Sequence, residues 1–115
     1  MDTKPREIIF YERPNGRVPF AEWFASLKDA AVRNAVRKRL YRLEDGNLGE
    51  YKKLGGGLTE LKLAGFGLRV YFAEVGDVIV LILCGGGKNS KGGQARDIRK
   101  AREYLDEFER RGATT

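Results

Sequence analysis

Residues 57–96 read GLTELKLAGFGLRVYFAEVGDVIVLILCGGGKNSKGGQAR, and this stretch decides the fold. Within residues 58–64 and 67–74 apolar side chains recur at every second position, the period of a strand with one buried face. Residues 78–84 are apolar without a break, which marks a strand covered on both faces. The stretch therefore predicts a three-strand meander that runs into a glycine-rich, basic loop.

The meander has a definite register. With Gly65-Phe66 as a two-residue turn, Leu63 faces Leu68 and Leu61 faces Val70, so the aliphatic side chains share one face. The other face then carries Lys62 opposite Arg69 and Glu60 opposite Tyr71. Like charges directly opposite destabilise a sheet by roughly 0.2 to 1 kcal/mol. Such a pair either shares its charge with Glu60 or has an anion to bind. A turn at Gly76-Asp77 brings Cys84 beside Arg69 and leads the chain directly into Gly85, Gly86, Gly87 and Lys88. Lys62, Arg69, Tyr71 and Lys88 then gather at one side of one sheet as phosphate contacts.

A chain of 115 residues makes one domain, residues 1–115, with frayed ends near 1–5 and 112–115. Its 42% hydrophobic and 33% charged content fits a folded protein rather than a disordered one. The net charge of +6 attracts nucleic acid, an anionic membrane or an acidic protein. Cys84 is the single cysteine, so a disulfide framework is excluded and a buried, reduced thiol is expected. Histidine is absent, and with it the commonest general base and metal ligand. Catalysis must rely on Arg, Lys, Tyr or carboxylates, with no metal and no cofactor. The N-terminus MDTKPREIIF lacks the apolar core of a signal peptide and no run is long enough to span a membrane. A cytoplasmic protein with no membrane partner is expected.

Taken in order, residues 6–11 (REIIFY) form a compact strand ended by the turn signal Arg13-Pro14-Asn15-Gly16. It joins the meander as a fourth strand, since so short a chain collects its strands in one sheet. Pro19 opens a helix whose Phe20, Trp23, Phe24 and Leu27 recur at helical spacing and pack on the sheet. Asp29 caps a second helix running to about Glu44, with Gly46 as its stop. Val32, Val36, Leu40 and Leu43 make its buried stripe, while Arg33, Arg37, Lys38 and Arg42 fall outside. That basic face is either merely solvated or steers the protein towards RNA. Residues 51–57 (YKKLGGG) read as a flexible basic connector whose Lys52 and Lys53 either reach a phosphate backbone or are plain loop lysines.

The glycine-rich residues 85–93 are not expected to bind a nucleotide. No Gly-Lys-Ser/Thr follows a Walker-type glycine frame, and no parallel strand-helix-strand unit surrounds them. They make a pliable loop carrying Lys88 and Lys91 and leading to Arg96-Asp97 at a helix start. Backbone amides there can hold a phosphate; Asp97 equally suits the helix dipole. The last helix, residues 95–111, buries Ile98, Ala101, Leu105 and Phe108, and Gly112 ends it.

The order strand, two helices, meander, final helix, with the phrases ELKLAGFGLRVYF, VIVLILCGGGK and ARDIRKAREYL, resembles the RelE/ParE superfamily of toxins from type II toxin-antitoxin modules. More narrowly it is similar to the phage-derived addiction module killer protein branch, close to HigB-type toxins. The resemblance covers residues 7–105. It implies an α+β, RelE-like fold: a mainly antiparallel four-stranded sheet, an N-terminal helical hairpin and a C-terminal helix. It also implies an mRNA interferase that cuts message on the ribosome, and a cognate, HigA-like helix-turn-helix antitoxin. By position, Arg69 matches the family's strand arginine, Lys62 its second-strand basic position, and Lys88 the basic residue after the last strand. Arg96 or Tyr104 stands for the C-terminal tyrosine or arginine.

In-line attack by the RNA 2′-hydroxyl needs no enzyme nucleophile. It needs preorganised donors for the charge of the pentacoordinate phosphorane. Arg69 offers a planar fork and Lys62 a point charge. Tyr71, Lys62 and Glu60 are candidate proton acceptors, the first two only where cations lower their pKa. Lys52, Lys53, Lys91 and Arg96 are the candidate RNA contacts. Arg69, Glu60 and Lys62 also suit a purely structural cross-strand ion network. Two other functions compete with the ribonuclease: a non-enzymatic, ParE-like inhibitor of DNA gyrase, and an RNA-binding or assembly protein without toxicity.

Overall fold

The computed structural model describes residues 6–87 and 93–112. In chain order the elements are β1 (Glu7–Phe10), α1 (Pro19–Ser26), α2 (Ala30–Glu44), β2 (Tyr51–Gly55), β3 (Leu58–Leu63), a 3₁₀ turn (Ala64–Phe66), β4 (Leu68–Val75), β5 (Ile79–Gly87) and α3 (Gly93–Gly112). The architecture is α+β. A five-stranded sheet runs in the order β1-β5-β4-β3-β2.

Period-2 patterning gives this sheet two apolar faces. Leu61, Leu63, Val70, Phe72, Val80 and Ile82 point to one side, where Phe20 of α1 and Val36, Leu40 and Leu43 of α2 cover them. Leu58, Tyr71, Ala73, Leu81 and Leu83 point to the other, under Ala101 and Leu105 of α3. Phe72, Ile82, Leu83 and Val70 are fully buried; each large apolar side chain so placed contributes about 1.5–3 kcal/mol. The uninterrupted apolar run of β5 follows from its burial on both faces.

Five strands form where four are expected. Residues 51–55, read from sequence as a connector, pair antiparallel with β3: Lys52 lies opposite Glu60 and Lys53 opposite Thr59. Without this strand the outer edge of β3, whose side chains are buried from Leu58 to Leu61, would present backbone donors and acceptors with no partner. Exposed lysines on the new edge leave its backbone paired on one side and guarded on the other. The sheet is mixed, because β1 runs parallel to β5 while the other three pairings are antiparallel. The helices do not make the expected hairpin: α1 lies along β5 and α2 reaches β1 on the same face. Their contact includes Arg37 stacked over Phe24, 5.1 Å from the ring centre. The sheet, rather than the other helix, takes each apolar stripe.

The β3–β4 register is the expected one, with Leu63↔Leu68, Lys62↔Arg69, Leu61↔Val70 and Glu60↔Tyr71. The β4–β5 register is not. Val75 pairs with Ile79, leaving Gly76, Asp77 and Val78 as the connection, and a bulge follows between Tyr71 and Phe72. Each adds one residue to β5, so Arg69 pairs with Gly86 and Cys84 with Tyr71. The bulge puts both Leu83 and Cys84 on the α3 side. Residues 85–87 continue the strand instead of starting a loop, and α3 begins at Gly93 rather than Ala95 and runs through Gly112. The termini 1–5 and 113–115 lie outside the described residues.

A Cβ on Gly85 would sit 2.3 Å from the Trp23 ring, and one on Gly86 2.0 Å from an Asp97 oxygen. The two glycines thus let α1 and α3 approach opposite faces of the same strand. Asp29 caps α2 as expected, its Oδ1 accepting from Ala31 N at 2.8 Å. At the far end of α3, Tyr11 Oη donates to Glu107 at 2.6 Å and Arg13 at 3.2 Å, tying the helix to the end of β1.

Candidate functional site

Residues directly opposite one another in an antiparallel pair share a face, so the ladders order the polar side chains of the α3 side into two rows. One runs Lys52–Glu60–Tyr71–Cys84, the other Lys62–Arg69–Gly86. Lys62 and Arg69 are therefore neighbours on one face. Lys53 shares the face of Thr59 instead, so the two β2 lysines diverge.

Glu60 is the centre of the cluster. Its side chain is completely buried, unusual for a carboxylate unless it is paired. Its Oε2 accepts from Gln94 Nε2 at 2.8 Å and from Tyr71 Oη at 3.2 Å. Arg69 Nε stands 3.6 Å from the same oxygen, and its side chain is 25% exposed. Oε1 has no hydrogen-bond partner among the described residues. Arg69 thus turns its Nε inward to a buried acid. Neither of its terminal nitrogens has a hydrogen-bond partner among the described residues. A guanidinium end without such a partner is chemically able to pair with an anion.

Tyr71 fits a supporting part rather than that of proton acceptor. It is fully buried, its hydroxyl donates to Glu60, and desolvation, then the charge of Glu60, pushes its pKa upward. A tyrosinate base needs the opposite shift.

The third wall comes from α3. Asp97 lies over Gly86, and burial raises its pKa while Lys100, Arg96 and Arg69 pull it down. The charges of three cations therefore act on one partly buried acid. Arg96 and Lys100 border a cavity of about 530 Å³ that is floored by Gly85 and Gly86 and walled by Trp23 and Tyr104. It opens beside β5 where β1 has ended, since β1 pairs only with residues 79–82. Tyr104 packs against Tyr11 with 6.2 Å between ring centres, and Arg13 lies 4.9 Å over its ring. Lys88 and Lys91 lie outside the described residues. Lys52 and Lys53 sit on the exposed edge strand, three strands away from β5, and neither lines the cavity that Arg96 borders. Sequence thus places Lys62 beside Arg69, but not Gln94 or Asp97. A glutamine next to a glycine run carries no signal of its own, whereas paired glycines in a buried strand do signal close approach.

Over 90 aligned residues the chain is 36% identical to an uncharacterized protein of Haemophilus influenzae, covering 77% of this chain and 88% of the relative. The chain belongs to the family of that protein. No family model matches it. Among the described residues no helix is long and apolar enough to cross a membrane.

Proposed function

We propose that this protein is the toxin of a type II toxin-antitoxin module, of the RelE/ParE type and near its HigB-like killer-protein branch, acting in the cytoplasm as a ribosome-dependent mRNA endoribonuclease. The observation that carries the reading is the pair Lys62–Arg69 on one sheet face, with Arg69 braced through Nε by buried Glu60. A scissile phosphate on the arginine fork would have its 2′-oxygen bond to phosphorus as the bond to the 5′-oxygen breaks. The 2′ proton passes to water, the leaving 5′-oxygen takes one from water, and a 2′,3′-cyclic phosphate remains. Arg69 and Lys62 stabilise the extra negative charge of the phosphorane, and the bracing acid spares the arginine reorganisation during reaction. Arg96, which borders the cavity beside β5, extends the cationic rim in this reading, and Lys52 binds the strand further along the same face. An antitoxin of opposite charge, helix-turn-helix and HigA-like, restrains the protein by covering that face.

The test is cleavage of message on programmed ribosomes by wild type and by Arg69→Ala. Loss of a transition-state donor lowers cleavage by ~10²-fold or more. Intact message with wild-type protein, accompanied by DNA breaks in growing cells, replaces this reading with gyrase inhibition.

A further inference from the structure

The exposed side of α2 and the β3–β4 connection form a second cationic feature, at the corner of the sheet that Lys62 occupies. One turn apart on α2, Lys38 and Arg42 border a groove of about 400 Å³ whose opposite wall is Lys62 and Phe66. Phe66 is 47% exposed, large for an aromatic ring. Beneath the groove Arg39 is buried without a carboxylate: it donates to the carbonyls of Leu48 at 2.6 Å, Glu50 at 2.8 Å and Lys62 at 3.0 Å. Desolvation first, then Arg42, lowers its pKa, with Glu50 opposing. The two guanidinium groups therefore repel. None of the ion pairs among the described residues involves Lys38, Arg39, Arg42 or Lys62. Glu50 is the acid at the groove, and its carboxylate pairs with none of them. Arg6, Arg13, Arg17 and Arg69, by contrast, all hold acids.

Uncompensated cations at helical spacing beside an open aromatic ring match single-stranded nucleic acid. Cβ atoms four residues apart on a helix are about 5–6 Å apart, which suits neighbouring phosphates. Any base can stack on the ring, and such stacking is worth about 1–3 kcal/mol. We propose that this groove binds a segment of single-stranded RNA, with a base on Phe66 and successive phosphates on Lys38, Arg42 and Lys62. Lys62 lines the groove and also stands in the row of Arg69, so the groove adjoins the candidate site at that residue. The choice of RNA rests on the function proposed above; the groove and its chemistry do not. An acidic peptide would match the charges but leave the ring without a partner.

The experiment is fluorescence anisotropy of a short labelled single-stranded oligoribonucleotide with the full chain, repeated over a range of salt. Lys38→Glu with Arg42→Glu is expected to weaken binding at least tenfold and to flatten the salt slope by roughly 0.7 per lost phosphate contact. Phe66→Ala is expected to weaken binding by about 5- to 150-fold, the stacking energy converted, with the salt slope unchanged. These positions are exposed, and thermal melts confirm that the variants fold. Binding unaltered in both variants overturns the inference. So does a polyglutamate peptide that competes with the oligonucleotide and binds equally well to Phe66→Ala. Groove-dependent binding with no cleavage on ribosomes defeats the endoribonuclease reading alone. Cleavage with wild-type affinity in the groove variants defeats this inference alone.

Discussion

Removing the arginine of a buried ion pair should cost more than removing both partners, and the Arg69–Glu60 pair tests this directly. At 3.6 Å and an effective dielectric of about 20, the gross attraction is about 4–5 kcal/mol. Desolvation of the carboxylate offsets several of these, which leaves the net worth of the pair small. In Arg69→Ala the acid stays fully buried, with Tyr71 and Gln94 as donors but no cation. Breaking a buried pair costs about 3–5 kcal/mol. Arg69 is a quarter exposed, so about 2–3 kcal/mol is expected here. Adding Glu60→Gln to that variant removes the uncompensated charge, and its amide oxygen still accepts from both donors. Most of the loss should then return, leaving the double variant within about 1 kcal/mol of wild type. Urea denaturation of the four proteins of the cycle, followed by circular dichroism, gives the numbers. A double variant less stable than Arg69→Ala refutes the reasoning, because Glu60 would then stabilise the fold without its arginine. The cycle also separates a folding defect from lost cleavage: the double variant restores the first and not the second.

Three further outcomes follow from the same geometry. Burial pushes the Cys84 thiol up to about 12, so at neutral to mildly basic pH folded protein should resist iodoacetamide and urea-unfolded protein should be alkylated; equal rates would contradict the buried placement. Gly85→Ala drives a methyl into the Trp23 ring and should cost about 1–3 kcal/mol of stability. The emission of this single tryptophan should shift with it, and an unchanged unfolding midpoint would show that the ring is not seated there. Glu107 is held below its ordinary value of 4.5 by hydrogen bonds from Arg13 first and Tyr11 second. A lowered carboxylate stabilises above its unfolded pKa, and the contribution disappears as pH falls through the folded value. The stability gap between wild type and Glu107→Gln should accordingly close on acidification below about 4.5, and a gap that widens would reverse the sign.

The sequence by itself determined the period-2 runs, the helical stripes and the β3–β4 register, because these follow from side-chain alternation and short turns. It put Lys62 beside Arg69 and Glu60 beside Tyr71 for that reason alone. Two side-chain roles were out of its reach: that Arg39, on an otherwise basic helix, turns inward to three carbonyls, and that Gln94 reaches Glu60 across 34 positions of chain. The fifth strand, the parallel pairing of β1 and the bulge in β5 were also decided only in three dimensions. Each satisfies a demand that no local pattern encodes: an edge needing backbone partners, a strand with an open side, and two helices requiring close approach to one strand from opposite faces. Local periodicity fixes which way a side chain points, whereas hydrogen-bond and packing demands between distant segments fix what it meets.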